Sequence, residues 1–453
     1  MIQPMSLSTI AALCQGRVYG EDVAVSSVEI DSRRSRDQSL FVALPGKHVD
    51  GHNFIDAAAE NGAAAALVNT VSERLPCVQV EDSYAAIGAM ARENRRQYCG
   101  ALVALTGSSG KTSTKEILAA LLSVRGNVLA TAGNYNNELG VPLTLLRLSA
   151  EHDFAVIEMG AAKAGDIRYL CDFASPRVAI LTNAQPAHIE GFGSLDGVAN
   201  TKGEIFEALP ADGLAVINAD DQYCSRWQER AAHCRRVTFS VESASADIYA
   251  SDIQLQAGRS LFTLHCPEGS VAVELPLPGR HMVANALAAA AAALAMGVEP
   301  GQLPEGFRLV RNAKGRLSRE TIAGVTLIDD SYNANPGSVR AAIDVLANEP
   351  GQRALVLGTM AELGENAADQ HLRIAEYAAK AGIERFIVVG EYANAMAARF
   401  GEGARAYGDN SALLSQLADD TQGIDAVLIK GSRSAAMEAV VQVLQQQLSK
   451  GDS

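Results

Sequence analysis

The chain has 453 residues, 48% hydrophobic and 20% charged, with a net charge of −14. At about 100–200 residues per domain this is enough for roughly two to four cores. The acidic balance argues against non-specific binding of nucleic acid or of a bilayer surface, and seven scattered cysteines without metal-type spacing fit reduced thiols in a cytoplasmic protein better than a disulfide frame.

The N-terminus has no basic segment followed by an apolar core, so no signal peptide is expected. The first block, 1–82, carries short strands at 25–30 and 40–43, an alanine-rich helix at 56–60 and a strand at 65–68. A helix at 84–98 opens the second block, 83–313. Apolar runs of strand length follow at 102–105, 155–157, 178–181 and 214–217, separated by helical patterns such as 115–122. Strands alternating with helices predict a mostly parallel sheet. Residues 247–274 break the rhythm with alternating β-like runs, and the turn at 276–279 leads into an alanine-rich helix at 284–296. That stretch falls short of the roughly 20 residues of a membrane span and is expected to be a buried helix. The third block, 314–453, repeats the βα rhythm at 325–328, 354–357, 386–389 and 426–429, which predicts a second, doubly wound (Rossmann-like) unit. The expected fold is α/β throughout, and a monomer is expected.

The run Thr106-Gly107-Ser108-Ser109-Gly110-Lys111-Thr112 follows a strand and precedes a helix. Glycines let the backbone bend around phosphates, while N–H groups and the helix N-terminus face the negative charge. Lys111 is placed to neutralise the β- and γ-phosphates, and the Thr112 hydroxyl to bind Mg²⁺. Leu105 stands where the common phosphate loop has its first glycine, so this is a shorter form. A plain Gly-Ser turn is the alternative; strand, loop, lysine and helix in order favour a phosphate site. No N-K-x-D base-reading motif is present, which argues against a GTPase switch.

Glu158 ends the run 154–158, His188 lies in the loop after 178–181, and Lys202 sits on the next helical stretch. Ligands of doubly wound sheets bind at the carboxyl ends of strands. Individually, a strand-end charge, a loop histidine and a solvated lysine are the alternatives.

Several segments resemble the Mur ligases: GSSGKT at 107–112, NYNNELGVPLT at 134–144, AHIEGFG at 187–193 and TKGEIF at 201–206. The likeness extends to DSR at 31–33, LFVALPG at 40–46 and DGH at 50–52, similar to the family's uridine-nucleotide-binding domain. It also takes in DDSYNANP at 329–336 and KGSR at 430–433 of the C-terminal domain. The resemblance implies ATP and two Mg²⁺ ions as cofactors, with Thr112, Glu158, His188 and a carbamylated Lys202 as the metal set; a carbamate offers the oxygens a hard cation prefers, where an ammonium repels it. It implies uridine-side contacts at Asp31, Ser32 and Arg33, and substrate contacts at Asn134 and Asn137. GRHMVAN at 279–285 is similar to the family's nucleotide motif: Asn285 matches its second asparagine, but Met282 replaces the first, and a thioether packs against a base where an amide would hydrogen-bond it. Arg316 and Asp330 match residues that the family's C-terminal side brings toward ATP.

The implied reaction joins D-alanyl-D-alanine to UDP-N-acetylmuramoyl-tripeptide through an acyl-phosphate, after the C-terminal domain closes over the cleft. The nearest alternative is a ligase of the same family adding a single amino acid. The diamino-acid-adding member carries a D-N-P-R-type signature where this chain reads GTMAELG at 358–364. A nucleotide-binding switch that makes no covalent product is the alternative from another class.

Overall fold

The computed structural model describes residues 1–46, 49–187 and 189–450. Near the N-terminus, five strands align in the order Arg17–Tyr19, Cys77–Gln79, Ala65–Val68, Ser39–Val42 and Ser27–Glu29, parallel except for the first pair. The strand expected at 25–30 is divided. Ala24–Val25 pairs with Met5–Ser6, and Ser27–Glu29 joins the larger sheet, because the Ser26 N–H turns aside to the Gln38 carbonyl.

Asp82 starts the helix Ser83–Gln97 by accepting from the N–H groups of Tyr84 and Ala85. Asn94 on its buried face is fully employed: its amide donates to the Leu145 and Leu148 carbonyls and its oxygen accepts from the Ile2 N–H. The helix therefore ties the N-terminal sheet to the central one.

The central sheet has nine strands: Gly269–Leu275, Arg259–Cys266, Ile248–Gln256, Arg235–Ser240, Leu214–Asn218, Val178–Leu181, Ala101–Thr106, Phe154–Glu158 and Val128–Ala130. Pairing is parallel from Val128–Ala130 to Ile248–Gln256. The alternating segment forms an antiparallel meander that extends the same sheet. Ala101–Thr106 stands where successive connections change direction, so its carboxyl end opens onto a crevice.

The alanine-rich helix begins at Arg280, four residues before the expected start, with Gly279 at its N-cap, and runs to Ala295. Its buried positions include the unbroken run from Asn285 to Ala293, as expected of a helix apolar all round and enclosed by protein. Among the described residues no helix is long and apolar enough to cross a membrane.

The third sheet orders its six strands Ser318–Ile322, Val325–Asp330, Ala426–Lys430, Arg353–Gly358, Arg385–Val389 and Ala404–Tyr407, parallel except for the first pair. One apolar core runs from the central sheet through the alanine helix into this unit, and a second joins the central and N-terminal sheets.

Candidate active site

Thr106 closes its strand fully buried, and its hydroxyl donates to the Met159 carbonyl at 2.8 Å. A Cβ on Gly107 would overlap the Thr182 hydroxyl. Gly110 has a left-handed φ of +82°, and a Cβ there would overlap the Asn285 carboxamide. Only glycine satisfies both positions. The loop is clamped from the neighbouring strand end: Ser108 N–H donates to the Asn183 carbonyl at 3.0 Å, Ser109 N–H to Asn183 Oδ1 at 3.0 Å, and the Thr182 hydroxyl to the Ser109 carbonyl at 2.7 Å. This modifies one expectation. The N–H groups of Ser108 and Ser109 hold the loop in shape, and the donors left for an anion are those at the head of the helix Lys111–Ser123.

Lys111 bends back and donates to the Gly107 carbonyl at 2.7 Å. Burial pushes its pKa down; the Glu158 carboxylate opposes this and the Arg316 guanidinium adds to it. Glu158 is buried at the end of the adjacent strand. Its Oε1 accepts from Asn136 Nδ2 at 2.8 Å, while Oε2 is buried with no hydrogen-bond partner among the described residues. A carboxylate oxygen left so is costly unless a cation or donor meets it.

Lys202 is also buried, with its ammonium 5.6 Å from the Phe192 ring centroid. Burial, reinforced by the Lys111 charge, pushes its pKa well below the usual lysine value. Phe192 and Glu190 lie on a short helix, Ile189–Phe192. His188, the third member of the expected metal set, lies outside the described residues. Among the described residues no group of three His, Cys, Asp or Glu side chains is gathered for a metal.

The opposite wall comes from the C-terminal unit. Arg316 stacks on Tyr332, 4.2 Å from the ring centroid. Asp330 accepts from Lys430 and from the Leu317 N–H, and Lys430 also donates to the Asn333 carbonyl at 2.9 Å. Burial pushes the Asp330 carboxyl up and the Lys430 ammonium down, and their contact opposes both shifts. Asn335 caps the helix Pro336–Ala347 by accepting from the Ser338 N–H at 2.8 Å, and its Nδ2 donates to Ser109 Oγ at 3.0 Å. Thus a second helix N-terminus points at the phosphate loop. Between the walls lies a cavity of about 730 Å³, lined by 108–113, Asn285, Arg316, Asp330, Asn335 and Lys430 among others.

The structure therefore brings together Ser108, Ser109, Gly110, Lys111, Thr112, Asn285, Arg316 and Asp330 around one cavity. It puts other nominated residues elsewhere. Asn137 accepts from the Gly140 N–H just ahead of the helix Gly140–Leu146, and Asn134 is exposed in the same loop. Between them Asn136, not singled out from the sequence, is the one that reaches Glu158. Asp31 caps the turn Ser32–Arg34 and pairs with Arg33 at 2.8 Å, while Ser32 is buried beneath. Lys430, Asn335 and Asn183 were likewise unassigned, although KGSR and DDSYNANP contained the first two.

Three family models cover successive segments: the Mur ligase family catalytic domain at 24–105, the Mur ligase middle domain at 105–293 and the Mur ligase glutamate ligase domain at 315–433. A relative from Escherichia coli strain K12, UDP-N-acetylmuramoyl-tripeptide–D-alanyl-D-alanine ligase, is 44% identical over 98% of both chains. The chain belongs to the Mur ligase family. The Haemophilus influenzae protein of the same name is 36% identical to this Mur ligase over 98% of the chain and 99% of its own length. A crystal structure of MurF from Acinetobacter baumannii superposes with a TM-score of 0.91 at 33% identity, covering 98% of this chain and 99% of that one. MurF ligase from Thermotoga maritima in complex with ADP superposes with a TM-score of 0.80 at 30% identity, covering 94% of this Mur ligase and 98% of that chain.

Proposed function

We propose that this Mur ligase joins D-alanyl-D-alanine to UDP-N-acetylmuramoyl-tripeptide at the expense of ATP, in the cytoplasm, by way of an acyl-phosphate. One observation carries the reading: a phosphate loop and the cationic wall of a second unit enclose a cavity, with a buried carboxylate oxygen behind the loop that has no hydrogen-bond partner among the described residues. The full-length relatives named above support the choice of substrates. Residues 1–82 are assigned to the UDP end, with Asp31, Ser32 and Arg33 on that side. Residues 83–313 are assigned to ATP and 314–453 to the incoming amine.

A carboxylate does not acylate an amine directly, because its oxide is a poor leaving group. Here the terminal carboxylate of the tripeptide attacks the γ-phosphorus of ATP. The bond from that phosphorus to the β–γ bridging oxygen breaks, and ADP departs. The neutral amine of D-alanyl-D-alanine then attacks the acyl carbon, the carbon–oxygen bond to phosphate breaks, and inorganic phosphate leaves as the nitrogen sheds its proton. The head of the helix Lys111–Ser123 binds the phosphates, Lys111 turns from Gly107 to the transferring group, and Arg316 screens charge from the other wall. The Asp330–Lys430 pair fixes the strand ends beneath the nucleotide.

The donor set fits magnesium. Glu158 Oε2 lacks a partner among the described residues and a hydroxyl sits at Thr112, so these residues, with His188, would hold two ions. Bound there, magnesium would supply positive charge to the phosphate oxygens. Lys202, once carbamylated, would be the fourth ligand: burial favours its neutral amine, the form that adds to carbon dioxide. The deciding experiment is mass spectrometry of reactions containing ATP and UDP-N-acetylmuramoyl-tripeptide with either D-alanyl-D-alanine or single amino acids. A new amide with the dipeptide is expected. ATP hydrolysis without amide would leave a nucleotide switch, and amide formation with a single amino acid would leave a different ligase.

A further inference from the structure

We infer that Lys115 is a positioning residue for the reaction: buried behind the phosphate loop, it draws the Thr131 carbonyl out of the central sheet and so fixes the direction of the Glu158 carboxylate. The inference rests on the assignment of Glu158 to magnesium. Lys115 acts through Thr131 and Asn136 and touches neither substrate nor metal.

The side chain stands where an apolar one would be expected. Lys115 lies one turn beyond Lys111 on the helix Lys111–Ser123 and is 2% exposed. Burying an ammonium is costly, and an apolar side chain of similar volume would fill a seam of the core as well or better. Its Nζ meets the partly exposed Glu116 carboxylate at 2.7 Å and donates to the Thr131 carbonyl at 2.7 Å.

The bond to Thr131 interrupts the sheet. Val128–Ala130 runs parallel to Phe154–Glu158, with Ala130 opposite Val156. One step further, the Thr131 N–H still donates to the Val156 carbonyl at 3.0 Å. A regular parallel ladder would continue with the Glu158 N–H donating to the Thr131 carbonyl. That carbonyl is turned to Lys115 instead, and the Thr131 hydroxyl accepts the Glu158 N–H in its stead at 2.9 Å. The strand accordingly stops at Ala130. The chain then doubles back over the end of Phe154–Glu158. The Asn136 carbonyl accepts from the Gly160 N–H at 2.7 Å, and Asn136 Nδ2 donates to Glu158 Oε1 at 2.8 Å. Glu158 is thus held at its backbone by Thr131 and at one oxygen by Asn136, with Oε2 left without a partner among the described residues. The helix whose head is assigned to the phosphates therefore also sets, through one ammonium, the loop path that orients the carboxylate.

The test is Mn²⁺ binding, read from the free-ion electron paramagnetic resonance signal with ADP equimolar to protein, beside the Mg²⁺ dependence of amide formation. Lys115→Met keeps the length of the side chain and lets the carbonyl return to the ladder. It is expected to weaken Mn²⁺ binding and raise the half-saturating Mg²⁺ by about 10–100-fold, the usual cost of losing a group that orients a metal ligand, with KM for the UDP-tripeptide unchanged. Thr131→Ser retains the hydroxyl and is expected to bind Mn²⁺ as the wild type does. Thr131→Val leaves the buried Glu158 N–H without an acceptor and is expected to lower both the melting temperature and Mn²⁺ affinity. Adding Lys115→Met frees the carbonyl to take that N–H, so the double variant should melt above Thr131→Val yet still bind Mn²⁺ weakly. A lysine that only supports the fold predicts Mn²⁺ binding that recovers with the melting temperature. Wild-type Mn²⁺ affinity in folded Lys115→Met or in Thr131→Val, or recovered Mn²⁺ binding in the double variant, overturns the inference. Wild-type protein that binds no Mn²⁺ beyond that held by ADP would refute the metal assignment itself, a separate outcome.

Discussion

Asn335 does two things with one side chain: its oxygen starts a helix and its nitrogen reaches the phosphate loop. The two roles separate by substitution. Asn335→Ala removes the cap and the cross-cavity bond. Loss of a cap costs about 1 kcal/mol, which in a unit of this size lowers the melting temperature by roughly 2–4 °C. Loss of the bond to Ser109 costs a further 0.5–1.5 kcal/mol, on the order of a two- to tenfold rise in KM for ATP. Asn335→Asp keeps the cap, since a carboxylate oxygen replaces the amide oxygen at a helix N-terminus that favours negative charge. It removes the donor to Ser109 and sets an anion before the phosphates. The expected result is an unchanged or raised melting temperature with KM for ATP raised at least about tenfold. Scanning calorimetry and phosphate release under saturating UDP-tripeptide and dipeptide measure the two effects. Wild-type ATP affinity in Asn335→Asp, or a loss of stability equal to that of Asn335→Ala, would falsify the division of labour.

Lys111→Ala is expected to abolish ATP-dependent amide formation while the fold persists, checked by product mass spectrometry beside circular dichroism. Gly110→Ala is expected to cost on the order of 1–2 kcal/mol for the left-handed backbone alone, and more from overlap with Asn285; equal stability and activity would show that the loop is not held as described. Exhaustive removal of carbon dioxide should depress activity and bicarbonate should restore it, whereas Lys202→Ala should be insensitive to both. His281 is held neutral by burial, with Lys430 adding to it, its pKa brought down to about 4. The unfolded chain binds that proton near pH 6.5, so stability is full above that value and declines as pH falls from about 6.5 to about 4. In His281→Gln the denaturation midpoint should fall less across that window, and an unaltered slope would assign the titration elsewhere.

The parallel strands and the phosphate loop were legible because their signals are local: an apolar run, two glycines and a lysine within one short segment. The buried alanine helix was legible for the same reason, though it begins directly after Gly279, the end of the turn read from the sequence, and not at the first residue of the alanine run. What the sequence could not display was assembly. Ser109 and Asn335 are 226 residues apart, and Asp330 and Lys430 are 100 apart. Choosing among Asn134, Asn136 and Asn137 needs the loop's path, since all three have the same chemistry and only one faces Glu158. Short strands such as Val128–Ala130 lacked enough residues to show a period.

The enclosed helix Arg280–Ala295 carries the cavity-lining Met282 and Asn285 at one end and a run of alanines behind them. With neighbours on every side of that run, one extra methylene has nowhere to go, and overfilling costs about 1–3 kcal/mol. Invariance among those alanines in any collection of relatives would therefore report crowding, whereas variation at Met282 would report chemistry.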